Sequence, residues 1–133
     1  LAYPKGYDLP KWAIEKAKQN AKENGGSFRI THDIKEAFSN ADIVIPKNWG
    51  SWVNNQSTEV IDDLLESYKS WKCTEDMIAL ANPNVYYMHA LPADRGNEVE
   101  DSVIDGKHSI VYQEAENRLH TAKAVMAMTI GDK

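Results

Sequence analysis

Apolar residues in this chain follow two rhythms. Short aliphatic or aromatic runs at 1–4, 27–31, 41–46, 85–88 and 109–112 alternate with stretches in which apolar residues recur every three or four positions. The runs predict strands and the wider spacing predicts helices with one buried stripe. The first helix opens at Asp8, a capping acid, with Pro10 in its first turn. It carries Trp12, Ile14, Ala17 and Ala21 to a stop at Asn24-Gly25-Gly26. A short helix follows over 33–38, ended at Ser39-Asn40, and then the strand 41–46, aliphatic enough for burial on both faces. Ser57 is placed to cap a helix whose Val60, Ile61, Leu64, Leu65 and Tyr68 form one stripe, and Thr74 to cap a shorter one through Met77, Ile78 and Leu80. After the strand 85–88, a helical turn around Ser102-Val103-Ile104 leads past Gly106 to the strand 109–112. The last helix, from Gln113, carries Leu119, Ala122, Val125 and Met126 on one face.

Five strands separated mostly by helices predict an α/β fold with a doubly wound parallel sheet, a Rossmann-like three-layer sandwich. At 133 residues the chain is read as one domain, 1–133, with no internal repeat, low-complexity segment or dividing linker. The net charge of -5, without any basic run, argues against a nucleic-acid surface. Any anion would be held by a local cluster of Arg, Lys and helix amino termini. No run approaches the roughly 20 apolar residues that span a bilayer, no signal peptide opens the sequence, and a cytoplasmic address is expected. The single cysteine, Cys73, forms no internal disulfide, and no Cys/His cluster has metal-ligand spacing, so no metal site is expected. Gly25-Gly26 ends a helix instead of opening one, and so is not a phosphate loop.

The candidate chemistry lies where the run Tyr86-Tyr87-Met88 breaks into His89-Ala90-Leu91-Pro92-Ala93-Asp94-Arg95-Gly96. In an open parallel sheet the carboxyl ends of the strands line the ligand crevice, so polar groups delivered there are site candidates. Taken singly, His89 as a strand cap, Pro92 as a turn and Arg95 as a solvated charge are equally good descriptions. A second long loop, rich in Asn and Trp, runs from Lys47 to Asn55.

His89-Ala90-Leu91-Pro92, Arg95-Gly96 and Glu98-Val99, followed by Glu116-Asn117-Arg118-Leu119-His120 and Lys123-Ala124-Val125, resemble the second half of the aspartate and ornithine carbamoyltransferase family in order and spacing. Pro4-Lys5-Gly6-Tyr7, Ala41-Asp42-Ile43-Val44 and Lys47-Asn48-Trp49-Gly50-Ser51-Trp52 agree with it, so the likeness covers nearly the whole chain. The resemblance implies transfer of the carbamoyl group from carbamoyl phosphate to the amine of an amino acid, without metal or organic cofactor. It implies that His89 and the carbonyl of Leu91, beside Pro92 and Arg95, lie at the carbamoyl and amine end of the site. It implies that Arg118 donates to the carbamoyl oxygen or the phosphate, where negative charge builds during attack.

Departures from the family pattern bear on the acceptor. Ala90 stands where ornithine enzymes have Cys and aspartate enzymes have Pro. Lys47 stands near the Asp with which ornithine enzymes hold the free α-ammonium group, reversing the charge. The loop Lys47, Asn48, Trp49, Gly50 and Ser51 instead resembles the acetylornithine, succinylornithine and knotted branch, where the α-amine is blocked or absent. Trp49 and Trp52 would then cover an acyl group or pack on a neighbouring domain. Any threading of a knot would fall between Trp49 and Trp71; an unknotted surface route fits the same residues.

The family's amino-terminal carbamoyl-phosphate domain, with its Ser-Thr-Arg-Thr motif, has no counterpart here. The chain is therefore read as a partial amino-acid-binding domain lacking its first strand and helix, inactive alone, with a gap expected between the Leu1 and Ile43 strands. Family members share active sites between subunits of a trimer. The other reading is a carbamoyltransferase-like binding or assembly module that has lost catalysis.

Overall fold

The structure, a computed structural model, describes residues 1–47 and 66–130. Asn48, Trp49, Ser51, Trp52, the expected helix from Ser57 to Tyr68 as far as Leu65, and most of the segment expected to carry a threading lie outside the described residues.

The described elements are α1 (Lys11–Glu23), α2 (Ile34–Phe38), β1 (Ile43–Val44), α3 (Glu75–Ile78), β2 (Tyr86–Tyr87), α4 (Asp101–Ile104) and α5 (Val111–Ile130). Two starts follow the local rule for helix caps: the Asp33 carboxylate accepts from the N–H groups of Lys35 and Glu36, and the Thr74 hydroxyl from that of Met77. Helix α1 stops as its sequence predicts. Gly25 turns left-handed at φ +69°, and the Gly26 N–H donates back to the Ala21 carbonyl at 2.8 Å. Gly106 is needed for a different reason, since a Cβ there would collide with the Ser102 carbonyl oxygen.

β1 and β2 pair in parallel, Ile43 opposite Tyr86 and Val44 opposite Tyr87. A single bridge at Ser109 extends this ladder beyond Tyr87, whose N–H donates to the His108 carbonyl at 2.8 Å and whose carbonyl accepts from Ile110 N–H at 3.0 Å. A second parallel ladder joins Ala2 to Thr31. Among the described residues no backbone hydrogen bond links the two ladders, so they stand apart where the sequence predicts a gap. The fold is the α/β, parallel, Rossmann-like one expected, with strands far shorter than their apolar runs.

The main core collects Phe38, Val44, Cys73, Ile78, Val85, Tyr87, Val99, Val103, Ile104 and Val111, drawn from every element except α1. Several local expectations are corrected. Ile43 and Ile45 are 55% and 57% exposed, and only Val44 of β1 is buried, because alternate side chains of a strand point to opposite faces and one face alone meets this core. The strand expected over 109–112 shortens to the Ser109 bridge, since Val111 already begins α5 and anchors it in the core. Asp8 does not cap α1. Its carboxylate accepts from the Tyr3 hydroxyl, while Pro10 takes the N-cap position and its carbonyl receives the Ala13 N–H. Neither stripe is fully covered: in α1 Ile14, Ala17 and Ala21 are half-buried and Trp12 is exposed, while Leu119, Val125 and Met126 of α5 are all exposed.

Candidate functional site

Parallel pairing brings three chain segments to one edge of the main ladder, the edge at which open α/β sheets bind ligands. Beyond β1 lies exposed Lys47; beyond β2 lies the turn from His89 to Pro92; beyond the Ser109 bridge rises the first turn of α5.

The turn is organised around His89, which is only 4% exposed. Its backbone N–H donates to Oε2 of Glu114, on the first turns of α5, at 2.9 Å. Its Nδ1 accepts the N–H of Leu91, also at 2.9 Å, so the ring proton resides on Nε2. Nε2 lies 2.6 Å from Oε1 of Glu98, itself 4% exposed. The ring N–H is not aligned with that oxygen, and neither atom has a well-directed hydrogen bond. The contact is a close, buried approach of the Nε2 proton's side of the ring to a carboxyl oxygen. Glu98 reaches this position through the bridge of Cys73 to Val99, in which Cys73 N–H donates to the Glu98 carbonyl and Glu100 N–H to that of Cys73.

His89 therefore turns its ring inward, while Ala90, Leu91 and Pro92 are exposed. Leu91 adopts φ +52°, a left-handed conformation costing a residue with a Cβ about 1–2 kcal/mol, and the following Leu91–Pro92 peptide is cis. A backbone of this kind persists only where its surroundings hold it, and here the Leu91 N–H bond to His89 is part of the hold.

The two arginines differ sharply. Arg95 is bound by its own loop: Nη1 lies 2.6 Å from Asp101 and 2.7 Å from Asp105, and Nη2 donates to the second Asp105 oxygen at 2.9 Å. This bidentate grip, from the Arg95 guanidinium, holds the Asp105 carboxyl below the usual aspartate value. Arg118 is exposed, its carbonyl accepts from the Thr121 hydroxyl at 3.1 Å, and its guanidinium has no hydrogen bond or ion pair with the described residues. It follows Glu114 by four residues on α5, so the two share a helix face one turn apart. Since Glu114 touches His89, that face is the one turned towards the loop.

Beneath the loop the core is closed. Burial pushes the Cys73 thiol up to about 12, helped by the nearby charges of Glu100 and Glu75, which makes it an inert core residue. Burial raises Tyr87 as well, with Cys73 and Glu98 adding to the effect. No group of three or more His, Cys, Asp or Glu residues that could hold a metal occurs among the described residues, and no described helix is long and apolar enough to cross a membrane. Sequence reasoning passed over Glu98 and Glu114 as functional groups. Glu98 is legible as part of the family-like Glu98-Val99 pair but carries no role there, because its approach to His89 depends on the fold and not on spacing.

Comparison with known proteins gives a consistent answer. A family model described as "Aspartate/ornithine carbamoyltransferase, Asp/Orn binding domain" matches residues 1–129. The chain is 40% identical over 131 residues to an ornithine carbamoyltransferase of Pyrococcus abyssi, covering 98% of this chain and 40% of that protein. It is 36% identical over 133 residues to one from Listeria monocytogenes, covering all of this chain and 42% of the relative. Among solved structures, the ornithine carbamoyltransferase from Pyrococcus furiosus superposes with a TM-score of 0.85 at 37% identity, over 99% of this chain and 41% of that one. An N-acetyl-L-ornithine transcarbamylase does so with a TM-score of 0.87 at 36% identity, over 96% and 39%. The chain thus spans about two fifths of the length of the curated relatives it matches.

Proposed function

The chain belongs to the aspartate/ornithine carbamoyltransferase family, and from that membership we propose that residues 1–133 form a single domain that supplies the amino-acid-binding half of a carbamoyl-transfer site. Carbamoyl phosphate and an amine-bearing amino acid are the substrates on this reading, with the phosphate-binding half contributed by another domain. A cytoplasmic homotrimer sharing sites between subunits is the setting the family resemblance implies.

The single observation that carries the proposal is the convergence of Lys47, the Leu91 turn and the Glu114–Arg118 face of α5 at one sheet edge. The acceptor amine must present its lone pair to the carbonyl carbon of carbamoyl phosphate. A backbone carbonyl such as that of Leu91, an exposed residue on a backbone held by His89, orients that amine by accepting a hydrogen bond from it. As the nitrogen bonds to carbon, charge collects on the carbamoyl oxygen and then leaves with phosphate. A guanidinium with no partner among the described residues, as that of Arg118 is, suits that oxyanion. His89 is buried, with Nδ1 bonded to the Leu91 N–H and Nε2 against Glu98, so on this reading it serves the site by supporting the turn. Arg95 shapes the loop through Asp101 and Asp105, so its part in binding is indirect.

For the acceptor we infer an ornithine-like amino acid whose α-amine is blocked by an acyl group. Exposed Lys47 at the end of β1 would repel a free α-ammonium and attract a carboxylate. Asn48, Trp49 and Ser51 complete the proposed acceptor loop on the family pattern. The test is carbamoyl transfer by the intact protein that carries this chain, offered ornithine, acetylornithine, succinylornithine, aspartate and putrescine. Product from a blocked ornithine is expected, and Lys47→Asp should shift preference towards free ornithine. Product from free ornithine alone refutes the assignment of Lys47. Silence with all five acceptors, while carbamoyl phosphate still binds, favours a non-catalytic binding module.

A further inference from the structure

We propose that Glu98 and Glu114 are positioning residues for carbamoyl transfer, fixing His89 and through it the Leu91 carbonyl that meets the acceptor amine. The inference rests on the role given to Leu91 above. Two segments meet at His89, Glu98 lying against its ring and Glu114 holding its backbone N–H. Glu114 comes from the start of α5, which is itself fixed by the Glu114 N–H bond to the Ile110 carbonyl at 2.9 Å. Glu98 comes from the strand-like bridge of Val99 to Cys73, and His89 from the end of β2.

Glu98 is the less expected of the two. Its carboxyl is buried, and among the described residues neither oxygen receives a well-directed hydrogen bond; the polar neighbour at 2.6 Å is Nε2 of His89. A buried carboxyl so poorly supplied stabilises a fold badly. What it does provide is a choice between tautomers. With an acceptor 2.6 Å from Nε2, the ring keeps its proton there and leaves Nδ1 bare to accept Leu91 N–H. Move that proton to Nδ1 and two donors face each other, so Leu91 loses the contact that holds it at φ +52°. The Leu91 carbonyl would then turn away from its present direction. Glu114 secures the same unit from behind by holding the His89 backbone rather than its ring.

Three variants of the intact protein test this: Glu98→Leu, Glu98→Gln and Glu114→Ala. The readouts are kcat, KM for each substrate, and nitrogen NMR of the His89 ring with the Leu91 amide. In the unaltered protein the ring proton should sit on Nε2. Glu98→Leu should release it to a mixture of tautomers, shift the Leu91 amide and lower kcat on the order of a hundredfold, the scale of a misplaced reacting group, with KM for carbamoyl phosphate unmoved. Glu98→Gln, whose amide oxygen still accepts from Nε2, should restore most of that loss. Glu114→Ala should lower kcat while the tautomer stays on Nε2, and it decides the matter if Glu98→Leu does not fold. An unchanged tautomer and kcat in Glu98→Leu overturn the proposal, as does an unchanged kcat in Glu114→Ala. A Glu98→Gln variant as damaged as Glu98→Leu, with both KM values raised, shows Glu98 to be mere packing and also overturns it. If the unaltered protein transfers to no acceptor, the functional reading has failed, and the NMR comparison alone still supports or refutes the lock on Leu91.

Discussion

Replacing Tyr87 by Phe should make this protein more stable, against the usual direction of core substitutions. Tyr87 is 0% exposed, and its hydroxyl has no hydrogen-bond partner among the described residues. Taking a hydroxyl out of water without compensation costs about 1–3 kcal/mol. Tyr87→Phe keeps the ring among Val44, Val85 and Val111 and removes only the oxygen. The lost contacts of that oxygen, several atom pairs at about 0.1–0.2 kcal/mol each, return roughly 0.5–1 kcal/mol of the gain. A net increase of about 1 kcal/mol remains. In urea, with a slope near 2 kcal/mol/M, that moves the unfolding midpoint up by about 0.5 M, and in a thermal scan it raises Tm by about 3–4 °C. A second reading comes from alkaline pH. Burial raises the Tyr87 pKa above its ordinary value of 10.0, so this residue contributes stability that is present below that value and lost as pH rises beyond it. The variant should therefore lose less stability than the parent above pH 10. A drop of 1 kcal/mol or more on substitution would show the hydroxyl to be satisfied, by an internal water for instance, and would refute the reasoning.

Thr74→Ala removes the acceptor that caps the Met77 N–H at 3.2 Å, and should cost about 1 kcal/mol by urea unfolding, whereas Thr74→Ser should cost little. Cys73, 2% exposed and with its thiol pushed up to about 12, should resist Ellman's reagent at pH 8 in the folded protein and react promptly after denaturation. Because its folded pKa lies above the ordinary 9.0, Cys73 too contributes stability that falls away as pH climbs past that value, and Cys73→Ala should flatten this part of the profile.

The parts of the fold that were legible in the sequence are those decided locally. The Asp33 and Thr74 caps, the glycine stop after α1 and the order of strands and helices all depend on side chains within a few residues of one another. Extents were less legible, because the length of a strand depends on what lies beside it. The runs at 41–46 and 109–112 read as full strands, yet they pair over two residues and one. The stripe of α5 read as a buried face and is exposed, since amphipathic spacing specifies that a face is apolar without specifying what covers it. At the site, the turn and both arginines were visible as chemistry. What the sequence concealed was their allocation: His89 faces inward because Glu98 and Glu114, nine and twenty-five positions along the chain, meet it there. Arg95 is occupied by acids six and ten residues downstream, a pairing that any polar loop would have allowed.

Helix α5 buries one residue of its twenty, Val111, at its very start. Its protection against hydrogen exchange should therefore be graded along its length. The first turn is tied to the core by Val111, by Ile110 on Tyr87 and by Glu114 on His89, and its amides should open only when the domain unfolds. Beyond Arg118 nothing among the described residues restrains the helix, and amides there should exchange through fraying that leaves the domain intact. Binding of a partner along the outer turns would register as a slowing of exchange confined to those turns. Arg118 stands at the boundary between the two regimes, so ordering of the distal helix and readiness of the guanidinium would rise and fall together.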